Sequence, residues 1–430
     1  MSLKVMWTKK FIAQVSAKCL TRQRNFSTAS TIGNSNPEFP IAANIYTDDL
    51  KFTNAASYNP IPIYRVLGSA AAENEVIANV KLEKDKYTKM YKDMVTITIM
   101  DKILYESQRQ GRISFYMTNS GEETVQIGSA AAFNLDDVIY AQYREAGVLL
   151  WRGFKLEQFM DQCYGNHADI GKGRQMPVHY GSKDLNFVTI SSPLTTQLPQ
   201  AVGAAYALKR ARSGRCVAVY FGEGAASEGD AHAALNFAAT LDCPVVFICR
   251  NNGYAISTPA SQQYKGDGIA AKGPAYGINT IRVDGHDIFA MYNATRAARD
   301  WSLAEGKPVL IEAMAYRVGH HSTSDDSSVY RSASEITEWK KLEPIAKFRD
   351  ILTKIGLWSE AQENEHTTSI KEQILTTFAK SEKKLKPHWK ELFTDVYRDM
   401  PQHIKNQMDA MEKHLVEYGD KYPLELYKSS

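Results

Sequence analysis

The strongest indication of the fold is the sequence CVAVYFGEGAASEGDAHAALNFAATLDCPVVFICRNNGY, residues 216–254. Its two continuous apolar runs, CVAVYF and PVVFIC, are typical of strands buried on both faces of a parallel sheet. A Gly-Glu-Gly turn centred on Glu223 follows the first run, and an Asn-Asn pair ending at Asn252 follows the second, with twenty-six residues between turn and pair. Because ligands bind outside the carboxyl ends of parallel strands, we expect Glu223 and Asn252 to lie close together.

These two side chains suit a divalent cation held against a diphosphate. Magnesium prefers oxygen ligands, which a carboxylate and an amide both supply. The glycines let the backbone approach a ligand closely, and the alanine-rich stretch that contains Asp230 is expected to form a helix whose N-terminal N–H groups face anionic oxygens. A Gly-x-Gly turn alone also occurs where a strand simply joins a helix, so the prediction depends on the pair of motifs.

The rest of the chain alternates strand-like and helix-like segments. Further strands are predicted at residues 280–283 and 308–314, and such alternation predicts a doubly wound α/β domain. Residues 93–110 suit a helix that ends at Gly111, although their β-branched VTITI stretch leaves a strand as the alternative. After residue 334, apolar residues recur at three- and four-residue spacings, which predicts a helical C-terminal region.

The N-terminal segment differs from the rest in composition. Residues 1–37 contain six basic residues and no acidic one, a pattern typical of a mitochondrial presequence, with a basic unstructured tail as the alternative. Residues 35–70 are rich in Pro, Asn and Tyr and predict an extended arm that packs on another subunit. The predicted organisation is a presequence (1–34), an extended N-terminal arm (35–90), an α/β domain (91–334) and a helical region (335–430).

Composition limits the classes of function. A chain of 430 residues with 44% hydrophobic content can bury one large core with an appended region, or two modest domains. A net charge of +3 argues against nucleic acid or a membrane surface as the principal partner, and no apolar run approaches membrane-spanning length. The five cysteines contain no CxxC pair, which predicts a reducing compartment.

The spacing of the two motifs resembles the thiamine-diphosphate signature GDG-x(25–30)-NN, with Glu223 in place of the commoner Asp. Over residues 60–430 the chain is similar to the alpha subunits of branched-chain 2-oxoacid dehydrogenases. The longer motifs behind this resemblance are AQYREAG (141–147), GKGRQMPVHYG (171–181), residues 222–259 and YRVGHHSTSDDSSVYR (316–331).

The resemblance implies a thiamine-diphosphate-binding fold, a location in the mitochondrial matrix, and oxidative decarboxylation of branched-chain 2-oxoacids with acyl transfer to a lipoyl group. Pyruvate dehydrogenase alpha subunits are the alternative. Magnesium would be bound by Glu223, the side chain of Asn252 and the carbonyl of Tyr254. The residues implied around the diphosphate are Tyr143, Arg144, Gly222, Gly224, Ala225 and Arg250. Guanidinium groups suit phosphate, although either arginine alone equally predicts a surface ion pair.

The TISSPLTTQLPQAVG segment, 189–203, is implied to hold a structural potassium ion. The implied ligands are Ser191, Pro193, Thr196 and Gln197. The alternative is that these residues form a helix-capping turn, with Pro199 just inside the following helix. Ser192 and Leu194 are implied to contact the cofactor. The implied lining of the acyl pocket is Phe115, Tyr143 and Leu194.

His320 and His321 lie in a polar segment that predicts an exposed loop. Zinc binding by this pair lacks further Cys or His ligands at a suitable spacing. By resemblance His321 is the active-site histidine and contacts the cofactor, where a neutral imidazole can donate a hydrogen bond to a phosphate or move a proton. Ser322 and Ser332 match an inhibitory and a less consequential phosphorylation site, which implies a regulatory kinase and phosphatase.

Thiamine enzymes of this type also need a carboxylate from a pyrimidine-binding domain, and this chain offers a single doubly wound domain. The resemblance therefore implies a beta subunit in an alpha2-beta2 heterotetramer, together with a lipoyl-bearing acyltransferase. Two other classes of protein fit the sequence less well. A nicotinamide dehydrogenase requires an acidic ribose ligand at a strand end, whereas Asp242 precedes the next strand. A phosphorylatable scaffold without catalysis would not require Glu223 and Asn252 at this spacing.

Overall fold

The computed structural model of the chain describes residues 47–54, 57–68 and 83–429. Two compact units are distinguished, Met1–Ser57 and Tyr58–Ser430, and every helix and strand discussed below belongs to the second. The predicted presequence and half of the predicted arm lie outside the described residues.

The central element is a sheet of parallel strands. Its strands and the accompanying hairpin are β1 (Ile63–Tyr64), β2 (Val138–Tyr140), β3 (Phe187–Val188), β4 (Val217–Gly222), β5 (Val245–Asn251), β6 (Tyr254–Ala255), β7 (Thr258–Pro259), β8 (Asn279–Asp284) and β9 (Val309–Met314). Seven of them form one sheet in the order β1-β8-β9-β5-β4-β2-β3, and each neighbouring pair is parallel. Strands β6 and β7 form an antiparallel hairpin.

Helices cover the sheet and extend beyond it. They are α1 (Lys84–Arg109), α2 (Glu123–Ala130), α3 (Ala146–Trp151), α4 (Leu156–Tyr164), α5 (Gln197–Arg210), α6 (Gly229–Thr240), α7 (Ala260–Gln263), α8 (Lys272–Ala275), α9 (Ile288–Glu305), α10 (Ala333–Lys340), α11 (Pro344–Lys354), α12 (Glu360–Glu382) and α13 (Gln402–Tyr418). Among the residues that the structure describes, no helix combines the length and apolar character needed to cross a membrane.

Strand β4 shows why the sheet is buried on both faces. Val217 and Val219 pack into one core with residues of α5 and α6, while the intervening Ala218 and Tyr220 pack into another with residues of α1 and α9. Successive side chains of a strand point to opposite faces, so a fully apolar run is required here. The predicted doubly wound α/β fold is confirmed, and the predicted strands are each found within one or two residues.

Helix α1 resolves the ambiguity of the VTITI stretch. The strand alternative is wrong, because Thr96 and Thr98 donate their hydroxyl groups to the carbonyls of Lys92 and Met94, four residues earlier, at 2.8 and 3.0 Å. These bonds satisfy the hydroxyl groups within the helix. The helix begins at Lys84, so its first two turns fall within the segment predicted as an extended arm.

Helix α6 follows the Gly-Glu-Gly turn after a short interval. The segment after Gly224 first forms a 3₁₀ turn, Ala225–Ser227, and α6 begins only at Gly229. Helix α6 contains Asp230 and the alanine-rich stretch, as predicted. Helices α10 to α13 confirm the helical C-terminal region.

Candidate thiamine-diphosphate site

A cavity of about 200 Å³ opens at the carboxyl ends of β4 and β5. The predicted site residues that line it are Tyr143, Arg144, Leu194, Gly222, Glu223, Gly224, Ala225, Arg250, Asn252, Tyr254 and His321. A larger cavity of about 620 Å³ lies between residues 162–177 and the C-terminal segment, and no predicted site residue lines it among those described. Chemistry rather than size therefore selects the smaller cavity.

Glu223 and Asn252 lie next to each other, as their positions after β4 and β5 predict. The backbone N–H of Asn252 points to Oε2 of Glu223 at 3.4 Å. The side-chain oxygen of Asn252 accepts from the N–H of Tyr254 at 3.1 Å. The three residues proposed as magnesium ligands are thus joined to one another by short local contacts.

The carboxyl group of Glu223 is suited to a cation. It is only 1% exposed, and its Oε1 has no hydrogen-bond partner among the described residues. Burial, and to a lesser degree the charge of Glu122, raises its pKa to about 7. No cluster of three or more His, Cys, Asp or Glu side chains in the described ranges could hold a metal. A cation here would therefore take its remaining ligands from amide, carbonyl and ligand oxygens, as magnesium does beside a diphosphate.

The Gly-Glu-Gly turn is fixed by two contacts. The N–H of Gly222 donates to Oε1 of Gln142 at 2.8 Å. A Cβ atom on Gly224 would lie 2.4 Å from that of Ala255 in the β6–β7 hairpin, so this position admits only glycine without rearrangement. The turn is therefore held between the AQYREAG segment and the hairpin.

Arg250 and Arg144 are not surface residues, so the surface ion-pair interpretation is wrong. Arg250 is buried and pairs through Nε with Glu145 at 2.5 Å and through Nη1 with Glu122. Arg144 lies 3.7 Å from Glu122 through Nε, and its Nη2 donates to the carbonyl of His321 at 2.8 Å. Two buried carboxylates thus hold both guanidinium groups at the cavity wall.

His321 lies beside the same guanidinium groups. Its Nδ1 is 3.1 Å from Nη1 of Arg317 and 3.5 Å from Nη2 of Arg144. Burial, followed by the charges of Arg144 and Arg317, lowers its pKa to about 3. The ring of Tyr143 meets it edge-on at 5.9 Å. The imidazole is therefore neutral at physiological pH, which is the state that the predicted role requires.

The loop that carries His321 is only partly exposed, as Ser324, Asp326, Ser328 and Val329 face solvent while other positions are buried, so the prediction of an exposed loop is correct only in part. Ser322 is only 8% exposed, and Thr323 and Ser327 are also buried. The N–H of His321 donates to Asp325 at 2.7 Å, while Oδ2 of the same aspartate accepts from the hydroxyl of Tyr330 at 2.6 Å. Hydrogen bonds of this kind within the segment allow part of it to be buried although it is polar.

Several predicted residues stand apart from the cavity. Phe115 and Ser192 are not among the described residues that line it; Phe115 packs against the main core. The hydroxyl of Ser192 is 2.7 Å from Nε2 of His179. Leu194, which is 39% exposed, and Tyr143 do line it.

The segment implied to bind potassium forms a turn before α5. The hydroxyl of Thr196 donates to the carbonyl of Pro193 at 3.1 Å, and Nε2 of Gln197 donates to the carbonyl of Tyr220 at 3.0 Å. Thr196 makes no side-chain cap of α5, which argues against the helix-capping interpretation. Pro199 lies in the first turn of α5, as predicted.

The sequence prediction missed Glu122, Glu145, Gln142 and Arg317. Glu145 and Gln142 lie inside the AQYREAG motif and Arg317 inside YRVGHHSTSDDSSVYR, so those motifs contained a signal for them. Glu122, in contrast, lies in none of the quoted motifs, and only the fold brings it to the site.

Comparison with known proteins agrees with this geometry. The sequence profile described as dehydrogenase E1 component matches residues 91–390. The chain belongs to this family. Its members include thiamine-diphosphate-dependent 2-oxoacid dehydrogenases, so the family assignment confirms the predicted cofactor.

The chain is also highly similar to three curated proteins that are each named 2-oxoisovalerate dehydrogenase subunit alpha, mitochondrial. The proteins of Macaca fascicularis and Homo sapiens are 57% and 56% identical over 390 residues, which are 90% of this chain and 88% of each relative. That of Caenorhabditis elegans is 57% identical over 381 residues, 88% of both chains. These names favour the branched-chain interpretation over the pyruvate dehydrogenase alternative.

Proposed function

We propose that this chain is the alpha subunit of a branched-chain 2-oxoacid dehydrogenase. It takes part in the oxidative decarboxylation of the 2-oxoacids derived from leucine, isoleucine and valine. The observation that supports this most directly is the buried, unpaired carboxylate oxygen of Glu223 beside Asn252, in a chain whose relatives bear the name 2-oxoisovalerate dehydrogenase.

Glu223, the side-chain oxygen of Asn252 and the carbonyl of Tyr254 would hold Mg²⁺ against the diphosphate. Thiamine diphosphate, when bound, supplies the carbanion chemistry by which a 2-oxoacid loses carbon dioxide. Gly222, Gly224 and Ala225 would line the diphosphate together with Tyr143, Arg144 and Arg250. The diphosphate and Glu223 are both negatively charged, and burial disfavours such charge. The cation would compensate it.

His321 supplies the group that can interact with a reacting atom. Its Nδ1 faces Arg317 and Arg144, and guanidinium groups only donate hydrogen bonds. Nδ1 is therefore the acceptor, and the proton lies on Nε2. His321 thus presents one N–H donor, which suits a phosphate or a developing negative charge near the cofactor.

A beta subunit completes the enzyme, as the family assignment implies. We propose an alpha2-beta2 heterotetramer in which the beta chain supplies the carboxylate for the pyrimidine ring. A lipoyl-bearing acyltransferase would accept the acyl group, and a kinase and a phosphatase would act on Ser322 and Ser332. The chain is mitochondrial, in agreement with the names of its relatives, and we propose the matrix as its compartment.

A structural potassium ion at Ser191, Pro193, Thr196 and Gln197 belongs to the same proposal. The carbonyl of Pro193 and the hydroxyl of Thr196 lie 3.1 Å apart, and both are oxygen donors of the kind that alkali cations prefer. Bound potassium would stabilise the turn that presents Leu194 to the cavity.

Substrate kinetics test the proposed function. The chain assembled with its beta subunit should show a kcat/KM for 2-oxoisovalerate about ten- to a hundredfold higher than for pyruvate, because each buried methylene contributes about 1 kcal/mol. The isolated chain should show no turnover. A higher kcat/KM for pyruvate would favour the alternative, and turnover by the isolated chain would exclude a shared site.

A further inference from the structure

A single buried carboxylate links the metal-binding amide to both arginines of the site. Glu122 is completely buried. One of its oxygens accepts from Nδ2 of Asn252 at 2.9 Å, and the other pairs with Nη1 of Arg250. Arg144 approaches from a third direction at 3.7 Å. Asn252 is 130 positions away in sequence, so this contact is made by the fold alone.

The chemistry of these groups fixes the orientation of the Asn252 amide. Oε2 of Glu122 pairs with Nη1 of Arg250, and Oε1 lies 3.7 Å from Nε of Arg144; guanidinium groups only donate hydrogen bonds, so both oxygens of the carboxylate act as acceptors. An ionised carboxylate can only accept hydrogen bonds, so the nitrogen of Asn252 must face Glu122. The oxygen of Asn252 then faces the other way, where it accepts from the N–H of Tyr254.

We propose that Glu122 is the positioning residue that directs the side-chain oxygen of Asn252 towards the cation. The inference rests on the proposed function, because it assigns Asn252 as a metal ligand. Without an acceptor-only partner, the two ends of an asparagine amide differ little in shape, and the amide could present its NH₂ group to the cation instead. Glu122 would remove that alternative before the metal arrives.

The substitution Glu122→Gln tests the orientation. Arg250 can only donate, so the oxygen of the new amide would face Arg250 and its NH₂ group would face Asn252. The Asn252 amide would then turn over to accept that hydrogen bond, and its own NH₂ group would face the cation. We expect the Kd for Mg²⁺ to rise about ten- to a hundredfold at saturating thiamine diphosphate, the range typical of residues that support metal ligands.

The decisive variant exchanges the amide and the carboxylate between positions 122 and 252, and we call it the reversed pair. In Glu122→Gln/Asn252→Asp, the amide at 122 donates to one carboxylate oxygen at 252, and the other oxygen remains for the cation. We expect this double variant to bind Mg²⁺ within about threefold of the wild type, although each single substitution weakens binding. Recovery in the double variant would show a coupling between positions 122 and 252, which two independent losses of general stability would not produce.

Glu145→Gln/Asn252→Asp is the matched control. Glu145 is equally buried and also pairs with Arg250 at 2.5 Å. Unlike Glu122, it accepts its hydrogen bonds from Arg250 and from the backbone N–H groups of Gln142 and Arg144. Neutralising it removes the same charge without providing a donor to residue 252. We therefore expect no recovery of Mg²⁺ affinity in this double variant.

The measurement is a calorimetric titration of Mg²⁺ into the assembled complex at saturating thiamine diphosphate, with Mn²⁺ bound and observed by electron paramagnetic resonance as a second probe. An unchanged Kd in Glu122→Gln, or no recovery in the reversed pair, would overturn the inference. If Glu122→Gln fails to assemble with the beta subunit, recovery of assembly and metal binding in the reversed pair supports the inference. Failure of the single variant and of the reversed pair overturns the inference. Absence of Mg²⁺-dependent cofactor binding in the wild type would instead refute the proposed function.

Discussion

Nη1 of Arg317 lies 3.1 Å from Nδ1 of His321, so a permanent cation faces the one ring nitrogen that has no proton. The contact accounts for part of the low pKa of this histidine, with burial and Arg144 contributing more. It also fixes the tautomer, because a guanidinium group cannot accept a hydrogen bond.

The low pKa of His321 predicts a pH dependence of stability. The folded pKa is about 3 and the ordinary value is 6.5, so between these values the unfolded chain binds a proton that the folded chain does not. The contribution of the neutral imidazole is complete above pH 6.5 and is lost as the pH falls towards 3. The difference in unfolding free energy between wild type and His321→Gln should fall by about 1–2 kcal/mol from pH 7.5 to 5. A constant difference in chemical denaturation would contradict this.

Two alanine substitutions in the Gly-Glu-Gly turn should differ strongly. At Gly224 a Cβ atom would meet that of Ala255 at 2.4 Å, whereas at Gly222 the nearest atom is 3.9 Å away. Gly224→Ala should therefore cost about 1–3 kcal/mol of stability through overpacking. Gly222→Ala should cost less than about 1 kcal/mol in the absence of cofactor. Equal losses in denaturant titrations of the two variants would show that the hairpin does not pack on the turn as described.

The acyl pocket offers a comparison between two predicted residues. Leu194 lines the cavity and is 39% exposed, whereas Phe115 packs against the core. Leu194→Ala should reduce the preference for 2-oxoisovalerate over pyruvate about ten- to a hundredfold in kcat/KM, as expected from 1–3 kcal/mol of lost apolar contact. Phe115→Ala should change stability more than preference. The reverse result would show that the beta subunit brings Phe115 into the pocket.

The sequence was sufficient for the sheet and for the pairing of Glu223 with Asn252. Both depend on local patterns, since continuous apolar runs give β4 and β5 and residues directly after parallel strands lie at one edge of the sheet. The prediction missed the start of α1 at Lys84, because no change in the hydrophobic pattern of the sequence marks where the arm ends and the helix begins.

The partial burial of the His321 loop and the role of Glu122 could not be predicted in the same way. The loop is mostly polar, yet Ser322, Thr323 and Ser327 are buried, and Asp325 accepts hydrogen bonds from His321 and Tyr330 within it. Composition reports polarity, but burial depends on whether hydrogen-bond partners are supplied. Glu122 reaches Asn252 across 130 positions, and no local pattern records such a contact.

Glu223 should make the metal-free protein less stable as the pH rises from acidic to neutral. Its folded pKa of about 7 lies above the ordinary 4.5, so the folded chain holds a proton that the unfolded chain loses, and stability falls as the pH rises from 4.5 through 7. Relative to Glu223→Gln, the wild type should lose about 2–3 kcal/mol of unfolding free energy between pH 5 and 8. Mg²⁺ with thiamine diphosphate should reverse this loss in the wild type, whereas Glu223→Ala should bind neither. Calorimetry and denaturation in chelator measure both effects; a wild type that remains equally stable at both pH values would contradict the description of this carboxyl.

Ser322 and Ser332 should respond oppositely to a phosphate, because their surroundings differ. Ser322 is 8% exposed, follows His321 directly, and its Oγ accepts from the N–H of Ser324 at 3.3 Å. A phosphate there adds nearly two negative charges within a segment that already holds Asp325. Repulsion and the cost of burying the charge should therefore disorder residues 317–331.

The hydroxyl of Ser332 instead accepts from the N–H of Glu335 at 3.1 Å and caps the N-terminus of α10. A negative charge at a helix N-terminus is favourable, so Ser332→Asp serves as the control. We expect Ser322→Glu to increase hydrogen exchange in the loop and to reduce acyl transfer to a lipoyl domain at least tenfold, while Ser332→Asp and Ser322→Ala leave both nearly unchanged. Full acyl transfer by Ser322→Glu, or by enzyme quantitatively phosphorylated at Ser322, would rule out regulation through this loop.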